Sequence, residues 1–227
     1  MDQELIGFLS SFVTEERKNL FVNILQHRTR YITVVLEDIY QSHNASAVLR
    51  SCDGFGIQDV HVIEDRNSFT VNEDIALGSS KWLTIRRYSG KENNTTDALN
   101  KLKKRGYRIV CASPDQGSLT LPQFDIRNGK VALLFGTEKE GLTKPAQDMA
   151  DEMITIPMLG FTESFNISVS VAVILYDLRT RLNISDLPFH LSEAEKNELE
   201  LEWLRKSIKN SRALEKEFYN RKRANLL

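Results

Sequence analysis

Within residues 153–182, MITIPMLGFTESFNISVSVAVILYDLRTRL, the backbone period changes twice, and this change constrains the fold more than any other stretch. Residues 153–158 are a short apolar, β-branched run bounded by Pro157, which reads as the end of a buried strand. Residues 159–165 read as a loop. From Asn166 onward Ile167, Val169, Val171, Ala172, Val173, Ile174, Leu175 and Leu178 are apolar on almost every side, so the helix they predict should be buried. Ser164 and Asn166 stand where an N-cap belongs. A strand, a glycine-containing loop and a polar-capped helix start together present free N–H groups to a ligand with acceptor atoms. An ordinary strand-to-helix connection in an α/β core has the same pattern, and this stretch alone leaves both open.

Further strands are predicted over 31–39, 59–64, 82–88, 107–112 and 131–135. Helices are predicted over 2–12, 14–26, 45–53 with Asn44 as N-cap, 97–105, and 145–150 capped by Thr143. Residues 89–95 read as a polar, mobile connection. Ser192 and Glu195 form a capping box for one long helix reaching about Asn220. The first strand, helix and second strand make a βαβ unit, for which a parallel pair and right-handed crossover are the default. Gly54 and Gly56 follow the helix instead of preceding it, so they are no dinucleotide fingerprint, and no GxxxxGK[ST] phosphate loop occurs. Loops 113–117, 136–141 and 159–165 lie at carboxyl ends of strands, the edge where open parallel sheets bind ligands. Glu138 places a carboxylate there; a solvated loop charge is its plainer explanation.

Hydrophobic content of 41% and charged content of 27% over 227 residues are those of a soluble globular protein. No run approaches the roughly 20 apolar residues of a membrane span. The first residues, with Asp2 and Glu4, lack the basic start of a signal peptide, so a cytoplasmic location and no membrane partner are expected. Cys52 and Cys111 lie in apolar segments and read as free buried thiols, and four scattered histidines lack metal-ligand spacing, so no metal is expected. Net charge is −1, yet basic residues gather at Arg17, Lys18, Arg28 and Arg30, at Arg179 and Arg181, and from Lys206 to Arg223. Two such groups on one face would bind phosphate; a solvated helical face explains the last group equally well.

Three separated segments carry a family resemblance: Asn44-Ala45-Ser46-Ala47-Val48-Leu49-Arg50 with Phe55-Gly56, then Leu134-Phe135-Gly136-Thr137-Glu138-Lys139-Glu140-Gly141-Leu142, then Ile156-Pro157-Met158-Leu159-Gly160 through Glu163-Ser164-Phe165-Asn166-Ile167-Ser168-Val169-Ser170. In order and spacing, over roughly residues 14–182, they resemble the motifs of the SPOUT superfamily of RNA methyltransferases, in its TrmH-like tRNA 2′-O-ribose branch. The resemblance implies an α/β fold: a mostly parallel sheet with helices on both faces and a deep C-terminal trefoil knot, a rare exception to unknotted chains. It implies a methyltransferase domain over 31–183, with helical extensions over 1–30 and 184–227.

It further implies S-adenosylmethionine held by Ala112, Ser113, Leu134, Gly136, Ile156, Met158, Ser164 and Phe165. The family is dimeric, with Arg50 of one subunit near the cofactor of the other. Arg50 is implied as the catalytic residue, with Asn44, Glu138, Ser164 and Asn166 around it, and Arg17, Lys18, Arg28, Arg30, Arg179 and Arg181 as contacts to tRNA. The implied reaction is methyl transfer to a ribose 2′-hydroxyl, at guanosine 18 of the tRNA D-loop. Alternatives are ribosomal RNA or another tRNA position, or a non-catalytic knotted RNA-binding protein. A guanidinium stays protonated in proteins, so Arg50 is expected to bind the adjacent phosphate and stabilise charge on the 2′ oxygen. A salt bridge from Arg50 to Glu138 is a compatible structural role.

Overall fold

Strands in which consecutive residues are all apolar must be covered on both faces, because successive side chains point to opposite sides. The computed structural model describes residues 2–113, 117–137 and 140–224. In chain order these form helix α1 (Asp2–Ser10), α2 (Glu15–His27), strand β1 (Ile32–Glu37), α3 (Ser42–Gly54), β2 (Asp59–Ile63), a short α4 (Glu73–Ala76), β3 (Thr84–Tyr88) and α5 (Asn94–Lys104). There follow β4 (Arg108–Ala112), β5 (Leu119–Thr120), β6 (Val131–Phe135), α6 (Lys144–Asp148), β7 (Glu152–Thr155), α7 (Ile167–Asn183), α8 (Glu193–Ser207) and α9 (Ser211–Ala224). Contacts divide the chain into two compact units, Thr29–Phe189 and Met1–Arg28 with His190–Leu227.

In the larger unit one sheet runs in the order β3-β2-β1-β6-β4-β7-β5, and every strand pairing in it is parallel. Val34, Leu36, Leu133 and Val110 face one way and pack with Val48 and Leu49 of α3 and Val171 and Leu175 of α7. Val35, Leu134, Ile109 and Cys111 face the other way, under Leu99 and Leu102 of α5 and Ala146 of α6. Burial pushes the Cys111 thiol up to about 12, so this cysteine is a core residue, not a nucleophile. Since β6, β4 and β7 are neighbours and parallel, their carboxyl ends open side by side on one edge.

The smaller unit is helical. Phe8 packs on Phe218 at 5.3 Å between ring centroids, Phe21 meets Trp203 edge-on at 5.4 Å, and Lys222 pairs with Glu4.

Four expectations need correction, and one strand was not anticipated. Helix α3 begins at Ser42 with Gln41 in the capping position, so Asn44 lies inside the first turn; its side chain bonds outward to Gln41 and to Asn166. The last two residues of the stretch 89–95, expected to be mobile, instead start α5, because buried Asn94 donates to Asp65 at 2.6 Å and Thr95 donates to Glu37 at 2.6 Å. Strand β5, two residues long, gives too little alternation to be seen in sequence. The single long C-terminal helix is two helices, turned where Asn210 takes φ +64 and Ser211 donates to the Arg205 carbonyl. Helix α7 is buried on one side, through Ile167, Val171, Ile174, Leu175, Leu178, Arg179 and Leu182, while Val169, Val173 and Tyr176 are exposed on its other side.

Candidate active site

At the end of β6 the chain turns through Gly136 into a tight loop. Thr137 and Gly141 exchange both backbone hydrogen bonds at 3.0 Å, and the Glu140 amide donates to the Thr137 hydroxyl at 3.1 Å. A Cβ on Gly136 would lie 2.2 Å from the Gly141 carbonyl oxygen, so no other residue fits without moving the loop.

Two acids at the end of β1 brace this loop from behind. Buried Glu37 accepts from the Thr143 amide at 2.9 Å, the Thr143 hydroxyl at 2.7 Å and the Thr95 hydroxyl. Thr143 in turn caps α6. The next residue, Asp38, takes φ +55 and accepts from the amides of Asp65, Arg66 and Asn67 at 2.8 to 3.1 Å. Burial alone would raise its carboxyl pKa, but these amides and the Arg66 guanidinium bring it below the usual aspartate value. Arg66 bridges Asp38 at 3.4 Å and Glu140 at 2.8 Å, reaching the loop from the side.

The ends of β4, β6 and β7 enclose a cavity of about 430 Å³. Ala112, Ser113, Gly136, Ile156, Met158, Ser164 and Phe165 line it as expected residues. Leu134 does not; it is fully buried in β6, its side chain in the core under α5. Thr137, Glu140, Leu142, Glu163 and Ser170, present in the motifs but given no site role, also line the wall, as do Gln147, Ile154 and Thr155, which sequence reading missed. Glu37 and Asp38 were missed too, although two acids ending an apolar strand are a signal in themselves.

Asn166 caps α7 by accepting from the Ser168 amide at 2.8 Å, and donates to Asn44 at 3.1 Å, tying the starts of α3 and α7 together. Arg50, on α3, is exposed, and among the described residues it has no hydrogen bond or ion pair. None of Asn44, Arg50 and Asn166 lines the cavity of this single chain. Glu138, and with it the anticipated Arg50–Glu138 pair, lies outside the described residues.

The basic residues divide sharply. Arg17 is exposed, and Lys18 is partly exposed beside Glu15. Arg28 is only 2% exposed, its guanidinium 5.4 Å over the Trp203 ring, which removes it from any phosphate. Arg30 pairs with Asp59 at 3.3 Å. Arg179 is buried over Phe189, and Arg181 donates to the Phe124 and Leu121 carbonyls and pairs with Asp177. Packing and local bonds thus occupy four of the six side chains expected to meet RNA. Among the described residues no group of His, Cys, Asp and Glu can hold a metal ion, and no helix is long and apolar enough to cross a membrane.

Residues 31–176 match the SpoU rRNA Methylase family. The chain belongs to the SpoU methylase family. A tRNA (guanosine(18)-2′-O)-methyltransferase of Borreliella burgdorferi is 45% identical over 92% of this SpoU chain and 94% of its own. The enzyme of that name from Thermus thermophilus is 32% identical over 85% of this chain and 98% of its own. Among solved structures, the A. aeolicus TrmH/SpoU tRNA modifying enzyme superposes with a TM-score of 0.75 at 26% identity, covering 86% of this chain and 98% of that one. The parallel sheet is therefore that of a SpoU methylase.

Proposed function

We propose that this SpoU methylase transfers a methyl group from S-adenosylmethionine to the ribose 2′-hydroxyl of guanosine 18 in the D-loop of tRNA. The observation that carries the reading is the cavity where β4, β6 and β7 end, with Gly136 leaving backbone bare at its wall. Its lining suits the donor: Leu142, Ile154, Ile156 and Ile174 offer an apolar bed for a flat ring, and Thr137, Gln147, Ser164 and Ser170 offer polar groups. When bound, the cofactor supplies an electrophilic methyl group. The choice of tRNA and of position 18 follows the relatives at 45% and 32% identity.

The chain's own part is alignment and charge. An in-line displacement needs the acceptor oxygen held behind the methyl group, and the hydroxyl must shed its proton. Arg50, unpaired among the described residues, takes the neighbouring phosphate and stabilises negative charge growing on the 2′ oxygen. Because it does not line its own chain's cavity, it serves that of a second copy. Exposed Val169, Val173 and Tyr176 follow helical spacing along α7, giving a twofold partner an apolar stripe to cover. The Asn44–Asn166 bond sets the two helices that frame this arrangement, and Ser164 lies on the wall of the cavity.

The methyltransferase domain is 31–183, with β7 and α7 forming the trefoil knot, and 1–30 and 184–227 are helical extensions. Arg17 and Lys18 remain tRNA contacts. Two free thiols suit a cytoplasmic enzyme. Labelled S-adenosylmethionine offered with unmodified total tRNA and ribosomal RNA, followed by mapping of the methylated ribose, tests the reading. Label at the D-loop guanosine of tRNA is expected; label confined to ribosomal RNA, or no transfer, contradicts it.

A further inference from the structure

A second cleft, of about 600 Å³, opens next to the cofactor cavity. The two share a partition: Arg66 lines the cleft, Glu140 lines the cavity, and the pair meet at 2.8 Å. One wall is the turn from β1 into α3, with Tyr40, Ser42 and His43; the other carries Arg66 and Thr70. This cleft is no part of the basic clusters seen in the sequence, four of whose residues packing has already occupied.

Two features point to its occupant. Tyr40 is 74% exposed, a whole aromatic face left to water at the mouth of a polar cleft. Sequence-tolerant stacking of a nucleobase is the use nucleic-acid-binding surfaces make of such a ring. Arg66 is more than half exposed and uses only Nε and Nη1, toward Asp38 and Glu140; among the described residues its Nη2 group is unpaired. Its position is nevertheless fixed, because Asp38 is locked by three backbone amides. A planar cation held in place with spare N–H groups is matched to phosphate oxygens. The hydroxyls of Ser42 and Thr70 add contacts that position a strand without reading its sequence.

We propose that this cleft receives the RNA strand flanking the modified nucleotide, a base stacking on Tyr40 and a phosphate bound by the spare N–H groups of Arg66. The inference rests on the methyltransferase reading above. Through Glu140 the bound strand is tied to the loop that walls the cofactor cavity, so docking of the acceptor and shape of the donor site meet at one ion pair.

Steady-state methylation and filter binding of an unmodified tRNA transcript, across a range of salt, test it on the full chain. Tyr40→Ala should raise KM for tRNA about tenfold, with kcat, cofactor affinity and melting temperature unchanged, and Tyr40→Phe should restore the wild-type value. Arg66→Gln should weaken tRNA binding several-fold and reduce the slope of log K against log salt by about 1, whereas Arg66→Lys should keep the slope. Unchanged tRNA affinity in both Tyr40→Ala and Arg66→Gln, or a Tyr40→Phe variant as weak as Tyr40→Ala, overturns the cleft as the strand's site. If the wild type binds tRNA but transfers no methyl group, the functional reading fails by itself, and the binding arm still decides the cleft.

Discussion

Two loops face each other across the cavity, and they are built in opposite ways. Loop 136–142 is closed by its own backbone bridge, backed by Glu37 through Thr143, and held at the side by Arg66 on Glu140; Gln147 donates to the Leu142 carbonyl. Loop 156–165 has no comparable brace among the described residues, and Leu159, Phe161 and Phe165 stand exposed until Asn166 fixes the start of α7. The chain thus finishes one wall alone and leaves the other apolar and uncovered. Exposed large side chains in a cluster mark a surface that awaits a partner. The proposed cofactor and second subunit are the two occupants that would cover it.

The sharpest way to break this contrast is Gly136→Ala. With its new Cβ 2.2 Å from the Gly141 carbonyl oxygen, the braced loop must open. Cofactor affinity measured by calorimetry should fall about 100-fold or more. Glu37→Ala comes next: the Thr143 amide and two hydroxyls lose their buried acceptor, and urea unfolding should report a loss of about 1–3 kcal/mol. Glu37→Gln, which keeps an acceptor oxygen, should lose less. On the uncovered side the pattern reverses. Phe165→Ser should leave stability within about 0.5 kcal/mol, yet weaken cofactor binding about fivefold, because its ring lines the cavity and packs little in the free chain.

The smallest effect concerns acid. Asp38 has a folded pKa below its ordinary 3.8, so the unfolded state binds the proton more readily. Its contribution to stability is complete above 3.8 and is lost as pH falls through the lower folded value. In urea unfolding followed across that window, Asp38→Asn should flatten the acid limb; an unaltered limb would show that the three amides do not favour the charged form.

The braced wall was more legible in sequence than its brace. Val131 to Phe135 running into Gly136, and Thr143 ahead of Pro145, are local patterns whose period and capping chemistry survive folding. Glu37, Asp38 and Arg66 act through bonds to residues 27 to 106 positions away, and beyond the placing of two acids at the end of an apolar strand nothing local announces them. The same holds for α5, whose start is fixed by the tertiary bonds of Asn94 to Asp65 and Thr95 to Glu37. Charge alone misled at Arg28 and Arg179, since a guanidinium stacked on Trp203 or Phe189 is written no differently in sequence from one that meets phosphate. The burial expected all round α7 holds on one face only; the other face, with Val173 and Tyr176, is open in the single chain.

Single-turnover methyl transfer to unmodified tRNA by Arg50→Ala, with cofactor affinity measured on the same preparation, bears most directly on the account. Arg50 is exposed and does not line the cavity of its own chain, and the role proposed for it is toward the acceptor phosphate and the 2′ oxygen, so the cofactor dissociation constant should stay at the wild-type value. The methylation rate should fall about 100-fold or more, as when a group stabilising developing negative charge is removed. An unchanged single-turnover rate would contradict it.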